Sequence, residues 1–206
     1  LTFMADVRSQ TGFTIPELNL GGGFGIRYTE ADHPQKAGEY MRLVAGAAKN
    51  KALELQFPFP YMVIEPGRSV VAPAGITLYT IGGVKEIPGV RTYVSVDGGM
   101  PDNPRYALYE AEYTALIANK ADKPQNSIVT IAGRCCESGD LLQKNTPLQI
   151  CERGDILAVL ATGAYNYSMS SNYNRLPRPA VVMVKEGEPR VVVLGETYDD
   201  LIRNDI

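Results

Sequence analysis

The chain has 206 residues, 45 % hydrophobic and 21 % charged, with a formal net charge of −3. That suits one large or two small globular domains. The lack of a basic block argues against nucleic acid or an anionic membrane as the main partner, and no apolar run approaches the roughly 20 residues of a membrane span. The cysteines, Cys135, Cys136 and Cys151, are odd in number and two are adjacent. They suit a reducing cytosol better than a disulfide framework, so a cytoplasmic protein is expected. A single histidine, His33, lies in a polar loop. Neither a zinc site nor a Ser-His-Asp triad is easily built from it, and no metal is expected. The opening Leu1-Thr2-Phe3-Met4 reads as the middle of an amphipathic segment, so a piece of a longer protein is expected.

Residues 2–10 read as a helix and 14–20 as a buried strand. The strand feeds Gly21-Gly22-Gly23-Phe24-Gly25, four glycines in five positions. Residues 36–56 place Tyr40, Leu43, Val44, Ala47, Ala48 and Leu55 at roughly helical spacing, which predicts a second helix. Tyr61-Met62-Val63-Ile64 is a short apolar strand ending at Glu65-Pro66-Gly67-Arg68. The pattern is βαβ, and ligands of α/β folds bind outside the carboxyl ends of the strands.

After about residue 75 the texture changes. Runs over 77–85, 92–96, 107–118, 127–132, 148–151, 156–162, 180–184 and 190–194 read as strands separated by turn residues. They predict an antiparallel sheet or barrel, with a short closing helix over 196–204. The expected fold is therefore α/β plus all-β. The domains are set at 1–70 and 71–206.

Five stretches can carry chemistry. The glycine run can aim backbone N–H groups at an anion such as phosphate, or be a tight turn with no ligand. Glu65-Pro66-Gly67-Arg68 can aim a carboxylate at a ring nitrogen with an arginine nearby for an anion, or form a local salt bridge. Arg105 and Tyr109, four apart after the turn-rich Asp97–Pro104, can clamp a carboxylate, though a solvated loop arginine is the plainer reading. Cys135-Cys136-Glu137-Ser138-Gly139-Asp140 sets two thiols beside a carboxylate and a glycine turn; a buried structural Cys135 with an acidic turn explains it equally. Finally, 163–174 holds Tyr165, Tyr167 and Tyr173 among hydroxyls and amides, a tip that binds polar ligands or is a hydrogen-bonded turn.

Taken together and in this order, these motifs resemble the diaminopimelate decarboxylase family, part of the alanine-racemase-like, fold-type III class of pyridoxal-phosphate decarboxylases. The Cys136-Glu137-Ser138-Gly139-Asp140 run and the tyrosine-rich tip discriminate it from relatives that share the architecture. The resemblance covers nearly the whole chain. It implies the C-terminal strands of a (β/α)8 barrel that holds pyridoxal 5'-phosphate, over 1–70, followed by a β domain.

The resemblance also implies roles. Gly22 and Gly23 would cradle the cofactor phosphate, with Pro66, Gly67, Arg68 and Tyr165 around the cofactor and Glu65 paired with its ring nitrogen. Arg68, Arg105, Tyr109, Glu137 and Tyr165 would bind substrate, Arg105 and Tyr109 its distal carboxylate and Glu137 its ammonium. Cys136 would donate the proton that replaces the lost carboxylate. The implied reaction converts meso-2,6-diaminopimelate to L-lysine and carbon dioxide, the last step of lysine biosynthesis. The enzyme would be a homodimer in which Cys136 and Glu137 reach the other subunit's site.

One departure is large. The family's Schiff-base lysine lies on an early barrel strand, and no such context occurs here, nor is His33 in place of the family's ring-stacking histidine. That lysine is expected on an N-terminal half outside this sequence, and this chain alone is expected to be inactive. Two alternatives stay open: a related decarboxylase of carboxynorspermidine or a basic amino acid, and a non-catalytic truncated partner.

Overall fold

Two short parallel strands hold the first part of the chain together. In the computed structural model, which describes residues 1–206, the chain divides into two compact units, Leu1–Pro73 and Ala74–Ile206.

In the first unit, helix α1 (Thr2–Thr11) stops at Gly12, whose φ of 74° only glycine adopts cheaply and whose N–H caps the Arg8 carbonyl. Strand β1 is shorter than expected, Glu17–Asn19. Helix α2 (Ala37–Glu54) starts where the Glu39 carboxylate accepts the Lys36 N–H at 3.2 Å, and it buries Ala48 and Ala52. Strand β2 (Tyr61–Val63) pairs in parallel with β1, Leu18 opposite Met62. Parallel neighbours need a crossover, and α2 supplies it. The carboxyl ends of both strands therefore lie side by side. The glycine run leaves one, and Glu65 leaves the other ahead of helix α3 (Arg68–Val71).

The second unit is built on a six-stranded sheet. Its elements are β3 (Ile76–Ile87), β4 (Arg91–Val96), α4 (Arg105–Tyr109), β5 (Ala115–Ile117), β6 (Ser127–Ala132), β7 (Leu141–Leu148), β8 (Ile156–Leu160) and α5 (Asn166–Met169). A hairpin follows, β9 (Val181–Lys185) with β10 (Glu188–Val193), then α6 (Tyr198–Ile202). The strand order is β5-β8-β3-β4-β6-β7. Strand β3 pairs through its first half with β8 and through its second with β4, shifting register near Gly82.

Glutamine side chains link the two edge regions. Gln143 on β7 accepts the Tyr113 N–H at 3.0 Å, and Gln149 just past β7 accepts the Ile117 N–H on β5 at 2.9 Å. The sheet thus curls into a nearly closed barrel around Ile81, Val94, Ile117, Ile131, Leu148 and Leu157.

Three expectations change. The sheet is mixed, because β4 and β6 run parallel. The expected strand over 107–118 is instead α4 followed by β5. Pro104 presets the backbone for a helix start, and Glu110 at φ 52° ends it. The strand placed at 148–151 is β7, which ends where it was expected to begin. Asparagine and proline disfavour a central strand, but β7, which holds Asn145 and Pro147, is last in the strand order. There a proline and a left-handed residue (Asn145 φ 51°) are tolerated beside a register shift.

The mixed pairing positions the chemistry. Strands β4 and β8 each run antiparallel to β3, and β6 runs parallel to β4. All three therefore point the same way, and the segments leaving them (97–104, 133–140 and 161–175) emerge at one end of the barrel. No helix of the chain is long and apolar enough to cross a membrane.

Candidate active site

In the first unit the glycine run is an open anion nest. Gly21 and Gly23 have φ of 68° and 85°, the left-handed backbone from which anion-binding nests are built. The N–H groups of Gly22, Gly23, Phe24 and Gly25 make no hydrogen bond within the chain. Gly22 is required by space, since a Cβ there would overlap the Glu65 carbonyl oxygen. Gly21 is tied in twice: its N–H reaches Asn19 Oδ1 at 2.8 Å, and its carbonyl accepts the Glu65 N–H at 2.7 Å.

Glu65 is exposed and aimed. Asn19 Nδ2 donates to Glu65 Oε1 at 2.6 Å, fixing one oxygen and leaving the other for a ligand. Arg68, read from sequence as an anion partner, braces the nest: Nη2 donates to the Gly23 carbonyl at 3.0 Å and Nε to that of Phe24 at 3.4 Å. Pro66 and Gly67 form the short link between Glu65 and α3. A ring of unpaired N–H groups beside a cation and a held carboxylate suits a ligand with a phosphate and a protonated nitrogen.

In the second unit the three segments at the barrel end bind one another. The Arg134 N–H donates to the Gly98 carbonyl at 3.1 Å, and the Ser171 N–H to the Pro101 carbonyl at 2.8 Å. Tyr173 Oη donates to Glu137 Oε2 at 3.2 Å. Each pair of segments therefore shares a direct hydrogen bond.

Arg105 touches Tyr165 here, and Cys136 and Glu137 lie on the turn that Tyr173 holds. Arg105 is only 9 % exposed. Its Nη1 donates to Tyr113 Oη at 2.5 Å, and its guanidinium lies over the Tyr165 ring at 5.2 Å. Tyr113 in turn donates to Asn166 Oδ1 at 3.4 Å. Tyr165 holds φ 74°, a conformation bulky residues adopt only where surroundings enforce it, as at ligand sites. Tyr109, at the far end of α4 from Arg105, is 65 % exposed.

Glu137 and Cys136 are both exposed. The Gly139 N–H and, after it, the Tyr173 hydroxyl hold the Glu137 carboxyl below its usual range, so it stays anionic. The adjacent Cys135 differs: burial and then the Asp140 charge push its thiol up. Beneath the cluster, burial raises Asp102 to about 6 although it accepts Tyr79 Oη at 2.5 Å and the Gly99 N–H at 2.9 Å.

Sequence reasoning gave no role to Asn19 or Tyr113. An asparagine closing a strand just before a glycine run is a usable signal for Asn19. Tyr113 offers none, since it reaches Arg105 only because a left-handed residue turns the chain after α4.

Residues 5–163 match the family described as pyridoxal-dependent decarboxylase, C-terminal sheet domain. The diaminopimelate decarboxylase of Bacillus subtilis is 54 % identical over 199 residues, which are 97 % of this chain and 45 % of that protein. That of Staphylococcus aureus is 46 % identical over 95 % of this chain and 47 % of its own length. Among solved structures, diaminopimelate decarboxylase from M. jannaschii in complex with L-lysine superposes with a TM-score of 0.88 at 35 % identity, covering 100 % of this chain and 46 % of that one. The chain thus spans about half the length of the relatives it matches. With a C-terminal sheet domain matched over most of its length, the chain belongs to the pyridoxal-dependent decarboxylases.

Proposed function

We propose that this chain is the C-terminal portion of a diaminopimelate decarboxylase, a carboxy-lyase that releases carbon dioxide from meso-2,6-diaminopimelate to give L-lysine. Residues 1–70 would be the last part of the cofactor-binding barrel and 71–206 the β domain. The observation that carries the reading is that the segments at one barrel end supply both a buried guanidinium and an exposed carboxylate kept anionic. A substrate with a distal amino-acid head needs both: Arg105 from one copy of the chain for its carboxylate and Glu137 from the second copy for its ammonium.

The glycine nest fits pyridoxal 5'-phosphate. Its four free N–H groups suit the phosphate, and Glu65, steadied by Asn19, suits the protonated ring nitrogen. Bound there, the cofactor supplies a cationic ring that takes up the electron pair left when carbon dioxide departs. Gly22 and Gly23 would present N–H groups, Arg68 would keep the nest in shape, and Pro66 and Gly67 would set the spacing from Glu65. Tyr165 would line both cofactor and substrate, and Tyr109 would close over the distal carboxylate beside Arg105. Cys136 would deliver a proton to the carbon that lost its carboxyl group. In a homodimer, Cys136 and Glu137 would serve the site of the second copy.

Assay of the full-length cofactor-loaded protein for lysine release from meso-diaminopimelate tests this. Turnover should be present and should fall about a hundredfold in Glu137→Ala, the loss of a charged substrate contact. Turnover of ornithine or lysine instead, with diaminopimelate untouched, would overturn the substrate assignment.

A further inference from the structure

Asp140 closes the Cys136–Glu137 segment and is only 3 % exposed. A buried carboxylate needs partners, and both of its oxygens have one. Oδ1 accepts the Met100 N–H at 2.6 Å, from the segment leading into Arg105. Oδ2 accepts the Cys135 N–H at 2.7 Å, from the residue before Cys136. Short bonds from backbone N–H to an ionised oxygen are among the stronger kinds.

The socket is shaped for this group. A Cβ on Gly99 would overlap Asp140 Oδ1, and one on Gly133 would overlap Oδ2. Asp140 also closes its own turn: its N–H reaches the Glu137 carbonyl at 3.1 Å and its carbonyl accepts the Gly133 N–H at 2.9 Å. One side chain therefore sets the conformation of the Cys136–Glu137 turn and clips that turn to the segment bearing Arg105. The other ties are single hydrogen bonds, and the Tyr173 one lies at the surface.

We propose that Asp140 is a positioning residue for catalysis: a carboxylate staple that fixes the turn presenting Cys136 and Glu137 by holding it against the 97–104 segment. It touches no substrate and acts through the backbone of Met100 and Cys135. The proposal rests on the roles given above to Cys136 and Glu137. Misplacing a reacting group by about an ångström can cost on the order of a hundredfold in rate, so the staple should act on turnover more than on substrate affinity.

The experiment compares Asp140→Asn and Asp140→Ala in the full-length, cofactor-loaded enzyme, well below their melting temperatures. The amide keeps one accepting oxygen and so one of the two ties. We expect kcat to fall about tenfold in Asp140→Asn and about a hundredfold in Asp140→Ala, with KM moving less than about threefold. Hydrogen exchange should speed up together in the peptides holding Met100 and Cys135. If Asp140→Asn does not fold, Gly133→Ala serves instead, since its Cβ displaces the carboxylate without removing it; the same kcat loss is expected. A lowered melting point with kcat per folded enzyme unchanged would overturn the proposal, because a merely structural residue behaves that way. Cys136→Ala, run alongside, separates the premises. Full turnover there would overturn the role of Cys136 itself, whereas an inactive Cys136→Ala beside a normal Asp140→Asn would overturn the staple alone.

Discussion

The glycine nest of the first unit and the three-segment cluster of the second are opposite solutions to holding a charged ligand. The nest is local: its donors lie within five consecutive residues, and they are backbone groups with no hydrogen bond inside the chain. The cluster is assembled from segments tens of residues apart, and its central cation is buried against two tyrosines. The nest works through side chains that are missing, so adding atoms should destroy it at once. The cluster works through side chains that brace one another, so each removal should cost part of the function.

The largest effect is therefore expected at Gly22. Gly22→Ala drives a methyl group into the Glu65 carbonyl, which is backbone and cannot swing aside. Gly46→Ala is the control in the same unit: nothing lies within reach of a Cβ there, and inside helix α2 alanine is favoured over glycine. Titration of the full-length apoprotein with pyridoxal phosphate should show affinity about a hundredfold weaker for Gly22→Ala, roughly the cost of overpacking a tight site, and little change for Gly46→Ala. Equal affinities for both would break the contrast between nest and cluster.

In the cluster, Tyr113→Phe removes the hydroxyl that accepts from Arg105 and keeps the ring. Arg105 still stacks on Tyr165, so the guanidinium should loosen rather than leave. A hydrogen bond to a charged group is worth roughly 1.5–3 kcal/mol. The expected result is a rise in the KM for diaminopimelate of about tenfold with kcat changed less. A KM equal to that of the parent would show that Arg105 needs no brace.

The same contrast explains what the sequence discloses. The glycine run is legible because its residues are consecutive and glycine has few reasons to recur so densely; by itself it leaves an anion nest and a tight turn both open, and the roles of Gly22, Gly23 and Glu65 come from the family resemblance. The strands that flank it follow from apolar runs. The cluster is legible only as separate motifs. Alternation and turn residues predict the strands of the second unit, but not that β4 and β6 run parallel, which is what brings the three segments to one end. Pairing direction depends on contacts between distant residues, and no local pattern encodes it. Strand β7 was misplaced for a related reason: Pro147 is a turn signal in isolation and acceptable once the strand is at an edge. Tyr113 sits inside a run that looked like continuous strand, so its turn toward Arg105 was hidden.

The smallest effect sharpens the cluster side of the comparison. Glu137 is held anionic first by the Gly139 N–H and second by the Tyr173 hydroxyl. Tyr173→Phe removes only the second. The carboxyl should then titrate closer to its ordinary value, that is, at higher pH than in the parent. If Glu137 has the role proposed, the anion is the active form, so the acidic limb of the kcat/KM profile should move to higher pH, and only slightly, one exposed hydrogen bond being a small contribution. Activity near neutral pH should hardly change, because Glu137 is ionised there in both proteins. The profile of the full-length enzyme, measured from pH 4 to 8, decides the matter. A shift to lower pH would mean that a group other than Glu137 governs that limb. No shift would mean that the Gly139 N–H alone sets the charge, making this corner of the cluster as dependent on local backbone as the glycine nest.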